Sequence, residues 1–190
     1  MNRKLDRILL IAALTIGGCL GIRKAWQEIE ADRHPSLATT EQFISYMSNH
    51  ALADAENYDH VTLDFSIGSL RQVDQILGHA HEAYQKNPSS VSVRGLSVEY
   101  GAYVGEVIRR NEPNAYWTRD SQVMGEKSYP LHWNPGESYP FTWCSERITN
   151  GDEDSIWVKY SVLKNPDWKK QISTAVASKK RPNFPRPSAR

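Results

Sequence analysis

Hydrophobic residues recur every three or four positions through three stretches of the chain, which is the spacing of an amphipathic helix. The first stretch follows Thr39 or Thr40, either of which can cap a helix. The second follows Ser66 and stops before Pro88, and the third covers residues 92–111. The apolar positions of the three predicted helices are Phe43, Ile44, Met47, Ala51 and Ala55; Ile67, Leu70, Val73, Leu77, Ala80 and Tyr84; and Leu96, Tyr100, Val104, Val107 and Ile108.

The third predicted helix contains two glycines, Gly101 and Gly105, four residues apart. A glycine in a helix interior costs about 1 kcal/mol relative to alanine. Two glycines on one face of the helix, despite this cost, indicate that a neighbouring element comes close to the backbone there. We expect that neighbour to be the second helix.

From Ala115 onward the pattern changes to short aromatic-rich segments separated by turn residues. "NAYWTRD", "KSYPLHW", "YPFTWCSERI" and "SIWVKYSVL" are predicted strands, with "NPGE" and "NGDED" as turns. In the last segment every second residue from Ile156 to Val162 is apolar, as in a half-buried strand. Asn150 followed by Gly151 predicts a tight hairpin turn before it.

A short final helix is predicted after Asn165, which can act as its cap, with Pro166 at the first helical position. Three helices, then a small antiparallel sheet and a short C-terminal helix, define an α+β fold behind an N-terminal membrane segment. The predicted organisation is a signal anchor or lipoprotein signal (1–26), a linker helix (27–38), a single α+β domain (39–177) and a disordered basic tail (178–190).

The N-terminal segment has the shape of a secretory signal or signal anchor, with basic residues ahead of an apolar run. Residues 8–22 carry no charge over 15 positions. As a helix they cover about 22 Å, short of the roughly 30 Å of a bilayer core. Arg23 and Lys24 can snorkel and Trp26 can lie at the interface, so a short membrane span is the favoured interpretation.

Cys19 supports a second interpretation of the same segment. Ile16, Gly17 and Gly18 before it resemble the lipobox of bacterial lipoproteins, which would make Cys19 a lipidation site. A cleaved signal is a third interpretation, and a cytosolic amphipathic helix is a fourth. All but the last attach or deliver the domain to a membrane, with the domain expected in the periplasm or outside the cytoplasm.

The net charge of +1 gives no reason to expect nucleic-acid binding, which usually needs a concentrated basic surface. The basic residues of the tail are an exception, since five of them occur after residue 177 without an acid, and they could contact anionic lipid. With only Cys19 and Cys144 present, a disulfide scaffold or a zinc ribbon is excluded.

The body of the chain resembles a bacterial domain family that has no assigned function. The second helix is followed by a glycine-containing helix, "GAYVGEVIRRN", then by a tryptophan-bearing segment, "AYWT", and by "YPFTWCSERI" with its proline and basic residue. The resemblance covers residues 63–163, about half of the chain. It implies the same order of elements, and its motifs are structural, so it implies no catalytic residue.

Candidate chemistry is sparse. His79 and His81 point apart on a helix, so they predict no shared metal ion. His50 and Asp54 lie one turn apart but lack a third ligand. Cys144 has no neighbour that would activate a thiol. We expect no cofactor and no metal.

Glu99 and Glu106 are seven residues apart on the third helix and could form a polar site, with acid and base roles if a cleft held them. A surface ion pair between Glu106 and Arg110 is the simpler interpretation.

Aromatic residues are dense in the second half of the chain, with eight large rings between Tyr116 and Trp157. A small sheet cannot bury all of them easily, and exposed tyrosine and tryptophan favour protein interfaces. The candidate binding residues are Tyr116, Trp117, Trp133, Trp143 and Trp157.

These features predict a membrane-attached, non-enzymatic domain of the bacterial envelope that binds another protein, for instance an immunity or accessory protein. A structural component of an envelope assembly is a second hypothesis. A small envelope hydrolase that uses Glu99 and Glu106 is a third.

Overall fold

A computed structural model describes residues 39–134, 136–165 and 167. These residues form five α-helices and a three-stranded antiparallel sheet, which confirms the predicted α+β class. In chain order the elements are α1 (Thr40–Asp54), α2 (Ser69–Lys86), α3 (Val93–Asn111), β1 (Tyr116–Trp117), β2 (Leu131–Trp133), β3 (Gly136–Ser138), α4 (Pro140–Asn150) and α5 (Ile156–Lys164). Short helical turns follow α1 (Ala55–Asp59), α2 (Pro88–Ser90) and α4 (Asp152–Asp154).

The first three helices begin and end close to their predicted positions. The Thr39 hydroxyl caps α1 by accepting a hydrogen bond from the Gln42 amide at 3.2 Å. The Ser92 hydroxyl caps α3 by accepting from the Gly95 amide at 3.2 Å. Asn87 and Pro88 end α2, because proline cannot continue the helix. Local capping chemistry therefore determines most of these boundaries.

Helix α3 is the centre of the fold, and it packs against both α1 and α4. A side-chain carbon on Gly101 would overlap Phe141 of α4, and one on Gly105 would overlap the indole of Trp117 in β1. The close approach predicted from the two glycines is confirmed. The predicted neighbour, α2, is wrong, because α4 and the first strand occupy that face instead.

The sheet has the strand order β1-β2-β3, and all its pairs are antiparallel. Its strands lie within the predicted segments "NAYWTRD" and "KSYPLHW" and at the predicted turn "NPGE". Trp117, Leu131 and Trp133 are buried on the inner face. The outer face carries the cross-strand row of Tyr116, His132 and Glu137.

The other two predicted strands are wrong, because both segments are helical. "YPFTWCSERI" forms most of α4, which has Pro140 in its first turn and buries Cys144 and Ile148 one turn apart. The predicted hairpin at Asn150 is wrong as well. Gly151, with φ +87°, ends α4 and leads into the helical turn that follows.

"SIWVKYSVL" forms α5, and the Ser155 hydroxyl caps it by accepting from the Val158 amide at 3.2 Å. The strand-like alternation misled the prediction because Ile156 and Tyr160 satisfy a two-residue and a four-residue period equally well. Both are buried, whereas Val158 and Val162, the remaining members of the alternation, are exposed. Burial on a helix face overrides the strand preference of these β-branched residues.

A partly buried carboxylate joins three of the helices. Asp74 of α2 accepts from Arg147 Nε at 3.1 Å, from the Ser155 hydroxyl at 2.8 Å and from the Ile156 amide at 2.8 Å. It therefore ties α4 to α2 and caps the first turn of α5. We refer to Asp74, Arg147, Ser155 and Ile156 as the Asp74 junction.

Several predicted segments lie outside the described residues: the N-terminal segments 1–26 and 27–38 with Cys19, the final helix after Pro166 and the basic tail 178–190. Among the helices that are described, none combines the length and apolar composition needed to cross a membrane.

Candidate binding surface

The five aromatic residues predicted to bind a partner lie in different environments. Trp117 and Trp133 are core residues with 7% and 6% of their surface exposed. Their indole N–H groups donate inside the protein, to Glu106 at 3.1 Å and to the Ser138 hydroxyl at 2.8 Å. Buried and already hydrogen-bonded, these two rings stabilise the fold and are not free to contact a partner.

The remaining three are more accessible. Trp143 and Trp157 are partly buried, and the Arg71 guanidinium lies 3.9 Å from the Trp157 ring. Tyr116 has 56% of its surface exposed. Its ring stacks on His132 with centroids 4.8 Å apart, and His132 Nε2 lies 2.9 Å from the Thr118 hydroxyl. Of the predicted set, Tyr116 therefore presents the largest exposed fraction.

Beside Tyr116 the chain forms a long loop, residues 118–130, between β1 and β2, which we name the recognition loop. Backbone hydrogen bonds pair Thr118 with Pro130, Arg119 with Tyr129, and Ser121 with Gly125 in both directions. Side chains add to this frame, since Asp120 accepts from the Lys127 amide at 2.8 Å. The loop therefore has an ordered internal framework.

A hydroxyl–carboxylate cluster fastens the loop to β3 and to the start of α4. The Ser121 hydroxyl donates to Glu137 at 2.6 Å, the Tyr139 hydroxyl donates to the same carboxylate, and the two hydroxyls lie 2.8 Å apart. The bonds from Ser121 and Tyr139 hold the pKa of Glu137 below its usual value. The bond to Glu137 in turn raises the pKa of Tyr139. The cluster therefore favours an ionised Glu137 and a protonated Tyr139.

Two residues of the loop carry backbone strain. Lys127 has φ +55° and Tyr129 has φ +44°. Both values fall in the left-handed region, which residues other than glycine adopt at a cost of about 1–2 kcal/mol. Such strain persists only where the surrounding structure imposes it. Here the Tyr129 ring is clamped at the base of the loop by Phe43, with centroids 4.7 Å apart.

Two neighbouring apolar side chains form the tip of the loop. The Ser121 hydroxyl accepts from the Val123 and Met124 amides at 3.1 and 3.3 Å. This turns the two side chains outward, with 81% of Val123 and 52% of Met124 exposed. An ordered loop that exposes two neighbouring apolar side chains is suited to insertion into an apolar depression on a partner.

Sequence reasoning missed the tip of this loop. Its only signal is the pair Val123 and Met124 inside the otherwise polar stretch "TRDSQVMGEKS". An apolar pair next to a glycine, between two strands, predicts an exposed turn with an apolar tip. The aromatic density nearby lies in the same half of the chain, but two of the five aromatic residues it singled out, Trp117 and Trp133, belong to the core.

The predicted polar site is not a paired-carboxylate site at the surface. Glu99 and Glu106 are both buried in α3, with 2% and 6% exposed. Glu106 accepts from Arg109 Nε and Nη2 at 2.6 and 2.9 Å, from Arg110 at 3.3 Å and from Trp117. The surface pair predicted between Glu106 and Arg110 is thus present, but its carboxylate is buried.

Burial acts to raise the pKa of Glu106, but the hydrogen bonds from Arg109 and Trp117 and the charges of Arg109 and Arg110 outweigh it, so the pKa lies below the usual value. A carboxylate held ionised in this way is a poor proton donor at neutral pH. Its geometry supports a structural role, in which it orients Trp117 at the start of the recognition loop.

The remaining candidates have structural surroundings. Cys144 is fully buried, and burial raises the pKa of its thiol. His81 Nδ1 lies 2.9 Å from the Ile148 carbonyl, and the His50 ring lies against Tyr46. In the part of the chain that the structure describes, no three His, Cys, Asp or Glu side chains are grouped so that they could hold a metal ion.

Comparison with known proteins identified no relative: no protein-family model, no curated protein and no solved structure matches the chain.

Proposed function

We propose that this chain is a non-enzymatic protein-binding domain, attached to a membrane of the bacterial envelope by its N-terminal segment. The recognition loop is its binding element. The observation that carries the proposal is the exposed pair Val123 and Met124 on an ordered loop, where the Ser121 hydroxyl accepts hydrogen bonds from the amides of both residues. An immunity or accessory role fits such a domain.

The proposal follows from the energetics of the tip. Complete burial of a valine or methionine side chain contributes roughly 1.5–3 kcal/mol. A partner that encloses both side chains could therefore gain several kcal/mol from two residues. Because the loop is already ordered, little conformational entropy opposes binding.

The surroundings of the tip indicate the kind of partner. Arg119, Glu126 and Lys127 are exposed on the same loop, and Tyr116 with His132 lies on the adjoining sheet face. An apolar centre with a mixed-charge rim is typical of a protein interface. The partner surface should accordingly be an apolar depression bordered by charges of both signs.

An enzymatic role is less well supported. Glu106 is held ionised by three donors, and the raised pKa of Cys144 keeps that thiol protonated. A hydrolase would need one of these groups to meet substrate, and both are buried in the core.

Site-specific photo-crosslinking in the native host tests the proposal. A photoreactive residue at Gln122, beside the tip, should trap a defined partner protein. The same residue at Gln75, an exposed position on α2, serves as the matched control. Val123→Asp with Met124→Asp should abolish the adduct formed from Gln122 while the fold, followed by circular dichroism, is retained.

Equal adducts from Gln122 and Gln75, or an adduct that survives the double substitution, would show that the loop is not the binding element. A partner trapped only through residues 1–26 would show the same.

A further inference from the structure

Four aromatic rings pack together at the base of the recognition loop. Tyr129 of the loop stacks on Phe43 of α1, with ring centroids 4.7 Å apart and planes 27° from parallel. The centroid of Phe141 in α4 lies 5.7 Å from that of Tyr129 and 6.4 Å from that of Phe43. Trp117 of β1 lies 6.1 Å from Phe141. We name these four residues the aromatic cluster, which brings α1, α4, β1 and the loop together at one point.

Phe43 is the first apolar residue of α1 and lies in its first turn. Glu41 and Gln42 of that turn are exposed, whereas Phe43 is partly buried. The fully buried apolar residues of the helix come later, at Ile44, Met47 and Ala51. Because helix ends open more readily than helix centres, the contacts of Phe43 with Tyr129 and Phe141 are well placed to hold the start of α1 against the domain.

Tyr129 holds its position in the cluster at a conformational cost. Its φ of +44° lies in the left-handed region, as does the φ of +55° at Lys127 two residues earlier. The Tyr129 amide donates to the Arg119 carbonyl at 3.0 Å, across the base of the loop. Without the stack on Phe43, one of the contacts that offset this cost is lost, and the loop backbone can relax.

We propose that the recognition loop and the first turn of α1 are conformationally coupled through the stack of Tyr129 on Phe43. While the turn is docked, the loop keeps the conformation that presents Val123 and Met124. When the turn opens, the loop relaxes. Coupling between two sites is reciprocal, so a partner that binds this loop conformation also stabilises the start of α1.

The position of α1 in the chain gives this coupling a use. The helix follows directly on the segment proposed above to attach the domain to a membrane. Occupancy of the recognition loop is thereby communicated to the end of the domain from which that segment leaves. This use rests on the proposed function, whereas the coupling itself does not.

Amide hydrogen exchange in the full-length protein tests the coupling without a partner. Phe43→Leu keeps an apolar side chain but removes the ring, so exchange at the Val123 and Met124 amides should become several-fold faster. Tyr46→Leu is the matched control, because Tyr46 is a partly buried aromatic residue of the same helix whose ring lies against His50. It should leave both loop amides unchanged.

The opposite direction is tested at the start of α1. The Phe43 amide donates to the Thr39 carbonyl at 3.1 Å, and its exchange reports opening of the first turn. Tyr129→Leu should accelerate this exchange several-fold, although the substitution lies in the loop. Tyr84→Leu, at a partly buried tyrosine of α2, is the control and should not.

Two measurements separate coupling from general destabilisation. The amide of Leu77, buried in α2, exchanges through larger openings of the domain and should respond to neither substitution. In the double variant, Phe43→Leu should add little to the effect of Tyr129→Leu on the loop, because both remove the same contact. Loop amides that do not respond to Phe43→Leu, additive effects in the double variant, or an equal change at Leu77 would each overturn the proposal.

Failure of the coupling is distinguishable from failure of the proposed function. A partner trapped from Gln122 without exchange coupling would retain the loop as the binding element and remove its link to α1. Exchange coupling without a trapped partner would retain the link and leave the binding role unsupported.

Discussion

The Asp74 junction and the hydroxyl–carboxylate cluster of Ser121, Glu137 and Tyr139 are both centred on a carboxylate, but they stabilise different parts of the molecule. The Asp74 side chain is 18% exposed and its partner Arg147 only 7%, and the carboxylate joins three helices. Glu137 is exposed and joins a loop to an edge strand. Removing a partner from a buried ion pair leaves an unsatisfied charge, whereas exposed hydrogen bonds compete with water.

The two regions should accordingly respond differently to mutation. Loss of Asp74, the partner of a buried arginine, should lower the stability of the whole domain. Loss of the exposed group should leave the domain folded and release the loop. The molecule thus separates the interactions that stabilise its fold from those that shape its candidate binding surface.

Asp74→Ala should have the largest effect, with a loss of about 3–5 kcal/mol in the free energy of unfolding, because it leaves the Arg147 guanidinium buried without its main partner and removes the cap of α5. Arg147 Nη1 already lacks a partner within the described structure, so little else can compensate. Urea denaturation at constant m-value measures the change. Asp152→Ala, which removes the exposed partner of the same arginine, is the control; equal losses for both variants would contradict the assignment.

Gly105→Ala should cost about 1–3 kcal/mol, because the new methyl group overlaps the Trp117 indole in a helix that is packed against both α1 and α4. The substitution should also displace Trp117, which directly precedes the recognition loop. Thermal unfolding gives the stability change, and tryptophan fluorescence reports the displacement. At Gly136 an added carbon meets no atom within 4 Å, so Gly136→Ala should be far less damaging.

Glu137→Gln should leave the urea midpoint unchanged but loosen the loop, because the neutral amide is a weaker acceptor for the Ser121 and Tyr139 hydroxyls. Hydrogen exchange at the Val123 and Met124 amides should become faster. Glu126→Gln, which neutralises an exposed carboxylate on the loop itself, should not change the exchange rate of these amides. Unaltered exchange in Glu137→Gln would show that the cluster does not hold the loop.

The same cluster predicts the smallest effect, a pH dependence confined to the loop. Because the pKa of Glu137 is lowered, its contribution is complete above the unfolded value of about 4.3 and is lost as the pH falls through the lower folded value. The raised pKa of Tyr139 preserves its donated bond past about pH 10. Exchange protection at Met124 should stay level from neutral pH to about 4.3 and fall below it, and Glu137→Gln should remove this fall.

The part of the fold that could be predicted from sequence is the part determined locally. The spacing of apolar residues, a cap at Thr39 and the stop at Pro88 identified the first three helices, and aromatic-rich segments between turn residues identified β1 and β2. The prediction failed for α4 and α5, where aromatic and β-branched residues imitate strands. Their helical state depends on contacts distant in sequence, such as Asp74 with Ile156, that no local pattern contains.

The candidate surface was harder to predict for a related reason. Whether a tryptophan is a core residue or a contact residue depends on what meets it in three dimensions. Trp117 is buried because Gly105 leaves room for it and Glu106 accepts its N–H. The exposure of Val123 depends on amide bonds to the Ser121 hydroxyl, which are not visible in composition or periodicity.

The buried thiol of Cys144 can be used to measure how often the core opens. Its thiol is fully buried in α4 and its raised pKa keeps the reactive thiolate scarce, so an alkylating reagent can reach it only when α4 opens away from its neighbours. The rate of alkylation at Cys144, measured by peptide mass spectrometry, therefore reports how readily the native state opens. Ligand binding at the recognition loop should slow that rate if the domain opens as one cooperative unit.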